Sequence, residues 1–207
     1  MTQEAIQDII RRQREFFYTG ATLNIDFRIE ALKKLQASIQ AHQEQIDAAL
    51  KADLGKSSFE SYMCESGLVL SEITYLLKHI RSLSREKTVH TPLAQFHSRS
   101  FQKPSPYGVS LIMSPWNYPF LFTLDPLADA LAAGNTAVLK PSAYSPATGA
   151  VLCEIIRECF PEHHVAVVMG GRAENACLLQ EHFDYIFFTG SQAVGIEVMR
   201  HASEHLT

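Results

Sequence analysis

Apolar residues recur at helical spacing through the first part of the chain. Ile6, Ile9 and Ile10 fall on one face of a predicted helix, and Gly20 is a suitable stop. The same spacing predicts three more helices, with apolar faces carried by residues 25–39, 46–50 and 59–83. We therefore treat residues 1–83 as an N-terminal helical segment that packs on the rest of the molecule.

After Tyr107 the pattern changes to short apolar runs that alternate with amphipathic stretches. The runs predict strands at residues 109–113, 136–139, 165–168 and 185–188, and the stretches that follow each of them predict helices. Strands that alternate with helices at this spacing form right-handed βαβ units and a parallel sheet. Because the strands are apolar throughout, we expect helices on both faces of the sheet, and the predicted fold class is α/β.

Between these two parts, the composition of residues 84–106 shifts to Ser, Thr, His, Lys and Pro. Such a composition is typical of a linker or a hairpin rather than of a core element. Residues 95–101 could form an exposed strand, and a strand of that kind can pair with a partner chain.

The overall composition narrows the class of protein. The chain has 207 residues, 46% of them hydrophobic and 19% charged, and a formal net charge of -4 without a block of like charge. This balance argues against nucleic acid as a partner. No apolar run is long enough for a membrane segment, and no signal peptide is recognisable, so we expect a cytoplasmic protein. The four cysteines show no CxxC spacing, and the histidines show no metal-like arrangement, so no metal site is predicted.

The most informative stretch follows the first predicted strand. Pro115 and Pro119 restrict the backbone on either side of Asn117, in a loop at the carboxyl end of the strand, where open α/β sheets bind ligands. An amide held stiffly at that place can donate a hydrogen bond to a reacting oxygen. The alternative is a turn residue that bonds its own backbone. For Trp116 we favour packing over stacking on a ligand.

Two further stretches lie at the ends of later strands. Gly190 and Ser191 form a turn before a predicted helix, with Ser191 as its N-cap, and the free N–H groups of a helix start favour an anion such as pyrophosphate. Many such turns bind nothing, and the GxGxxG fingerprint is absent. Lys140 ends the second strand and could contact a ribose or a phosphate. Taken alone, Lys140 is better explained as a solvated surface lysine.

In combination, the three stretches resemble the aldehyde dehydrogenase superfamily in order and spacing. They are residues 115–119 (PWNYP), 130–142 (ALAAGNTAVLKPS) and 187–191 (FFTGS). The helical part is similar to the shorter, class 3 branch of the superfamily, through residues 53–56 (DLGK) followed by Glu60, Tyr62 and Glu65. The resemblance implies that residues 107–207 are an incomplete NAD(P)-binding Rossmann-like domain and that residues 84–106 are an oligomerisation hairpin.

The activity that the resemblance implies is NAD(P)-dependent oxidation of a small-molecule aldehyde to a carboxylic acid. In the family a cysteine thiolate attacks the aldehyde, and Asn117 matches the asparagine that holds the oxyanion. Lys140 matches a ribose contact, Gly190 and Ser191 match the pyrophosphate turn, and Val194 matches an apolar wall of the adenine slot. Ser114, Pro115 and Trp116 would line the cofactor cleft, and Ser142 and Gly170 complete the cofactor-binding residues that we predict.

Two departures from the family pattern matter. Ala143 stands where many members have a ribose-binding glutamate, so we expect that NADP is tolerated as well as NAD. The sequence reaches Thr207 before the family's Glu-Leu-Gly-Gly general-base motif and its nucleophilic cysteine. We therefore expect a fragment of a longer, homodimeric enzyme that is inactive by itself. The alternative is a catalytically inactive, truncated nucleotide-binding or assembly module.

Overall fold

The computed structural model of the protein describes the whole chain, from Met1 to Thr207. Its N-terminal part is helical, as predicted, and a 3-10 turn at Ala21–Leu23 separates the first two helices. A π-helical turn, Tyr62–Ser66, joins the last two of these helices into one rod. The helices are α1 (Gln3–Tyr18), α2 (Ile25–Ala41), α3 (Gln43–Leu54), α4 (Ser58–Ser61) and α5 (Gly67–Leu83).

An antiparallel hairpin follows, formed by β1 (Lys87–Val89) and β2 (Ser100–Gln102), with a 3-10 turn at Leu93–Gln95. The exposed strand expected at residues 95–101 is therefore shorter and begins later than the sequence indicated. Beyond the hairpin, strands and helices alternate to the end of the chain. They are β3 (Val109–Met113), α6 (Leu121–Ala133), β4 (Thr136–Lys140), α7 (Pro146–Cys159), β5 (Val165–Val167), α8 (Arg172–Leu179), β6 (Tyr185–Phe188) and α9 (Gln192–Ser203).

The four strands of this second part form one parallel sheet in the order β5-β4-β3-β6. Ile112 of β3 lies opposite Leu139 of β4 on one side and Phe187 of β6 on the other. The strand order reverses direction between β3 and β6, as in the first half of a Rossmann fold, and such reversal points are where open α/β sheets bind ligands. The α/β fold with a helical N-terminal segment is thus confirmed.

Each face of the sheet carries its own hydrophobic core, because successive strand side chains point to opposite faces. The larger core contains Ile112 and Leu139 together with buried residues of α2, α3, α5, α6 and α7. The smaller core contains Leu111 and Val138 with residues of α1, α8 and α9. The N-terminal helical segment therefore supplies helices to both faces. None of the helices combines the length and the apolar character that crossing a lipid bilayer requires.

Candidate functional site

A cavity of about 580 Å³ opens at the carboxyl edge of the sheet. Its walls come from the segments that follow β3, β4, β5 and β6, and its volume is within the range of roughly 300–1,000 Å³ typical of small-molecule sites. Every residue predicted from the sequence as catalytic or cofactor-binding lines this cavity. They are Ser114, Pro115, Trp116, Asn117, Lys140, Ser142, Gly170, Gly190, Ser191 and Val194.

The loop of residues 115–119 forms one wall and is held by its backbone carbonyls. Ser145 Oγ donates to the carbonyl of Trp116 at 2.9 Å, and Lys56 Nζ donates to the carbonyl of Asn117 at 2.9 Å. Asn117 is an exposed residue that lines the cavity, and its hydrogen bond to Lys56 uses the backbone carbonyl only. The expected alternative, a turn residue bonding its own backbone, does not describe this geometry. Trp116 is 56% exposed, so the packing role favoured from the sequence is wrong.

Lys140 lies at the base of the cavity and is only 3% exposed, so its expected status as a solvated surface lysine is wrong. Its ammonium group donates to the carbonyls of Pro141 at 2.9 Å and Gly170 at 2.7 Å. An ammonium group has three N–H donors, so one remains for a ligand. Burial lowers the pKa of Lys140, and the nearby charge of Glu174 opposes that shift only in part.

A second wall is the turn between β6 and α9. Ser191 caps α9 as predicted, because its hydroxyl accepts the N–H of Val194 at 3.4 Å. A Cβ atom added at Gly190 would lie 2.5 Å from the ring of Phe188, so a larger residue in this turn would require that ring to move. The start of α9 is exposed and lines the cavity, and the free N–H groups of a helix start favour an anion.

The remaining wall, between β5 and α8, contains the predicted Gly170 together with residues that sequence reasoning missed. Gly170 has a φ of 141°, and a Cβ atom there would lie 2.3 Å from a carboxylate oxygen of Glu174. That carboxylate accepts the N–H of Gly171 at 2.8 Å, and hydrogen bonds from the backbone N–H groups of Glu174 and Gly171 lower its pKa. Arg172 and Asn175 line the cavity beside them. The Gly170-Gly171 pair before a helix was the available signal for this wall.

Two features of this wall bear on ligand chemistry. Asn175 Oδ1 is buried and has no hydrogen-bond partner within the chain, although it lies in a residue that lines the cavity. Buried acceptors are normally paired, so an unpaired one at a cavity wall points to a ligand donor. Arg172 adds a second cation to Lys140, while the neutral Ala143 lines the same space. The cavity lining thus contains two cationic residues and no acidic one.

No cysteine lines the cavity. Cys153 and Cys159 lie on α7, where burial raises the pKa of each thiol, which is the opposite of what activates a nucleophile. Cys64 and Cys177 are partly buried elsewhere on the molecule. The arrangement therefore combines a free amide, a buried cation and a helix start, but it contains no thiol nucleophile.

Comparison with known proteins assigns the whole chain to one protein family. Residues 1–207 match the model of the aldehyde dehydrogenase family. The chain is 42% identical over 193 residues to the 4,4'-diaponeurosporen-aldehyde dehydrogenase of Staphylococcus aureus, covering 93% of this chain and 42% of that protein. It is 41% identical over 204 residues to human aldehyde dehydrogenase family 3 member B1, covering 99% of this chain and 44% of that protein.

The solved structures agree. The substrate-bound state of Staphylococcus aureus AldH superposes with a TM-score of 0.96 at 41% identity, covering 98% of this chain and 44% of that chain. The protein is a member of the aldehyde dehydrogenase family. Within the family it is similar to the family 3 members, as the sequence indicated, and it spans 42–44% of the length of the relatives named above.

Proposed function

We propose that this chain supplies the NAD(P)-binding part and the oxyanion-stabilising asparagine of an enzyme that oxidises an aldehyde to a carboxylic acid. The observation that carries the proposal is that one cavity, at the strand-order reversal of the sheet, collects every residue predicted for these roles. Membership of the aldehyde dehydrogenase family supports the reaction class. The complete reaction takes up water and releases a carboxylic acid, NAD(P)H and a proton.

The residues present fit a dinucleotide. The start of α9 with Gly190 and Ser191 would hold the pyrophosphate, since free backbone N–H groups there attract phosphate oxygens. The free N–H of Lys140 would donate to a ribose hydroxyl, and Asn175 Oδ1 would accept from one. Val194, which is 37% exposed, offers an apolar contact for a base. When bound, the cofactor supplies the acceptor for the hydride of the aldehyde carbon.

The chain itself would contribute Asn117 to the chemistry. Its side-chain amide lines the cavity, and donating to an oxygen that gains negative charge is the task such a preorganised donor performs best. Ser114, Pro115 and Trp116 would shape the same end of the cleft, and Ser142 and Gly170 would border the ribose. None of the cysteines of this chain is offered as the nucleophile, because none lines the cavity.

Binding can be tested on this chain directly, because Trp116 is its only tryptophan and lies in the cavity wall. Titration with NADH or NADPH should quench Trp116 fluorescence saturably, and Lys140→Met should weaken the binding. Lys33→Met, at an exposed lysine of α2, is the matched control. Absence of saturable binding of either nucleotide would refute the proposed cofactor site.

Catalysis is tested on the complete gene product that carries this sequence. Replacing Asn117 by Ala should lower kcat by about 10²–10³-fold while leaving nucleotide affinity nearly unchanged, because the lost donor acts on the developing oxyanion. The 207-residue chain should form no NADH from any aldehyde above a heat-treated control. Turnover by the chain alone would show that a nucleophile has been overlooked.

A second candidate function is a catalytically inactive nucleotide-binding or assembly module. The observation in its favour is the lack of a thiol at the cavity. The two functions are separated by whether the reading frame contains a Glu-Leu-Gly-Gly motif and a later cysteine after these residues. Nucleotide binding is common to both candidates, whereas aldehyde turnover by the complete gene product belongs to the first alone.

The homodimer expected from the sequence is proposed to involve the hairpin of β1 and β2. Leu93 and Phe96 at its tip are 88% and 75% exposed, and short exposed strands readily pair with a second copy. Sedimentation of the complete gene product, with and without Phe96→Ser, tests this proposal. The cytoplasmic location stays a prediction that fractionation of the native cell would test.

A further inference from the structure

A buried ion pair lies directly behind the loop that carries Asn117. Lys56, in the turn after α3, is 7% exposed, and Glu65, in the π-helical turn, is fully buried. Lys56 Nζ and Glu65 Oε1 are 2.5 Å apart. Buried ion pairs are weak evidence for stability in themselves, so the position of this pair needs another explanation.

The ammonium group of Lys56 contacts two consecutive residues of the loop. It donates to the carbonyl of Asn117 at 2.9 Å, and it lies 4.1 Å from the centre of the Tyr118 ring. Together with Glu65, these contacts give the ammonium group three partners. Because Asn117 is otherwise exposed, the bond from Lys56 fixes the peptide from which the amide side chain extends.

Glu65 completes the support at the other end of the loop. Its Oε2 accepts the N–H of Phe120 at 2.8 Å and of Leu121 at 3.1 Å, which are the first unpaired donors of α6. A carboxylate at a helix start is favoured by both the free N–H groups and the helix dipole. One buried carboxylate therefore fixes both the end of the loop and the cation that holds its middle.

Gly67 allows the helix to widen into a π-helical turn at the point where Glu65 is needed inside. The N–H of Gly67 bonds the carbonyl of Tyr62, and a Cβ atom on Gly67 would lie 2.6 Å from that oxygen. The turn keeps Glu65 inward between the buried positions Ser61 and Val69. Wide turns of this type occur frequently at functional sites.

We infer that Lys56 and Glu65 are positioning residues that hold the Asn117 amide at the cavity wall. They contact no ligand space themselves, since neither lines the cavity, and they act through the backbone of residues 117–121. The inference deepens the proposed function, because it rests on Asn117 as the donor to the oxyanion. It assigns to the Asp53–Lys56 and Glu65 motif a task in the site rather than in the core alone.

The test must separate positioning from folding. Lys56→Met leaves Glu65 buried without a counter-charge, so the fold of that variant can suffer. The double variant Lys56→Met with Glu65→Gln removes both charges and leaves no unpaired charge in the interior. Lys33→Met at an exposed pair is the matched control. Unfolding in urea establishes that each variant keeps its fold.

Because Trp116 is the only tryptophan, its fluorescence anisotropy and its quenching by acrylamide report on this loop. We expect the double variant to remain folded with lower anisotropy and stronger quenching, and the control to match the wild type. In the complete gene product, kcat should fall about 10–100-fold with little change in KM for NAD(P), because misplacing a catalytic group by an ångström has an effect of that size.

Each outcome is decisive. A folded double variant with wild-type anisotropy and kcat would overturn the inference, and so would a double variant that unfolds, since the pair would then be structural. A loosened loop with unchanged kcat would overturn it as well. If Asn117→Ala leaves kcat unchanged, the proposed role of Asn117 fails and the inference falls with it. If Asn117→Ala lowers kcat and the double variant does not, the inference alone fails.

Discussion

The central and the edge strands of the sheet contribute to the cavity in different ways. The helices that follow the central strands, β3 and β4, are capped by carboxylates from the distant N-terminal segment. Glu65 caps α6, and Asp53 accepts the N–H groups of Ala147 and Thr148 at the start of α7. After the edge strands, β5 and β6, the caps are local, with Glu174 on α8 and Ser191 on α9.

This difference shows which loop of the cavity depends on distant segments of the chain for its rigidity. The loop with Asn117 is held by Lys56 in the turn after α3, by Glu65 of the π-helical turn and by Ser145. The Gly190-Ser191 turn needs only its own strand and helix, and it is exposed. We infer that the proposed catalytic end of the cavity is preorganised by long-range contacts, while the phosphate end is a self-contained motif.

The largest effect that we expect is on stability, and it compares the packing beside the Asn117 loop with the packing beside the Gly190-Ser191 turn. Phe120, directly after the Asn117 loop, is fully buried, whereas Val194 on α9 is 37% exposed. Phe120→Ala should lower the free energy of unfolding by about 3–5 kcal/mol, because it opens a cavity in the core. Val194→Ala should cost less than about 1 kcal/mol, as surface changes usually do. Urea unfolding of both variants measures the contrast, and equal losses would contradict it.

A smaller effect contrasts the two kinds of cap. Asp53 accepts three hydrogen bonds from α7, including one from Thr148 Oγ1 at 2.8 Å, while Ser191 accepts one, at 3.4 Å. Asp53→Ala should therefore destabilise the chain by about 2 kcal/mol and Ser191→Ala by about 0.5 kcal/mol, the two ends of the range for N-caps. Asp53→Asn is the conservative control, and it should recover part of the loss. A greater loss for Ser191 would show that the local cap is the stronger one.

The same division decides what could be predicted from the sequence. Patterns within a few residues predict the Ser191 cap, the Gly190 turn and the four strands of the parallel sheet, and the structure contains them. The caps by Asp53 and Glu65 join positions 94 and 55 residues apart, so no local pattern reveals them.

Burial of polar residues was the second thing that the sequence alone did not reveal. Lys140 was expected to be solvated because a lysine is rarely buried. It is buried because the carbonyls of Pro141 and Gly170, supplied by two different strand ends, satisfy its ammonium group. Arg172 and Asn175 were missed for a related reason, since only the folding of α8 against the sheet edge brings them to the cavity.

Lys140, at the end of the central strand β4, bonds the carbonyl of Gly170, which follows the edge strand β5. Its lowered pKa makes both stability and nucleotide binding depend on pH. Between the folded and the unfolded pKa, the unfolded chain binds more protons, so the free energy of unfolding attributable to Lys140 rises with pH. Binding of an anionic nucleotide should fall over the same window, because the site loses its positive charge. The window lies below the ordinary lysine value of 10.5.

The rise of stability with pH is measured by urea unfolding, and the fall of binding by NADPH titration, at several alkaline pH values. Each is taken as the difference from Lys140→Met. The Lys140→Arg variant keeps its charge throughout, so its NADPH affinity should be flat in this window. Parallel slopes of stability and affinity would mean that Lys140 does not contact the nucleotide.

The smallest effect that we expect concerns the choice between NAD and NADP, to which a central and an edge strand both contribute residues. Ala143 comes from the β4 side and Arg172 from the β5 side, and both line the cavity near Lys140. A carboxylate at position 143 would repel a 2′-phosphate and accept bonds from free ribose hydroxyls. Ala143→Glu should therefore shift the ratio of NAD to NADP affinity toward NAD by about five- to tenfold, the size of one partly screened charge interaction.

The control for that change is Ala143→Gln, which adds a side chain of similar length without its charge and should shift the ratio much less. The shift should also shrink in high salt, because interactions between exposed charges are screened. Arg172→Gln should weaken NADP binding more than NAD binding if the β5 side holds the 2′-phosphate. An unchanged ratio in Ala143→Glu would place the ribose that carries the 2′-phosphate away from this wall, and cofactor choice would then have to come from the turn after β6.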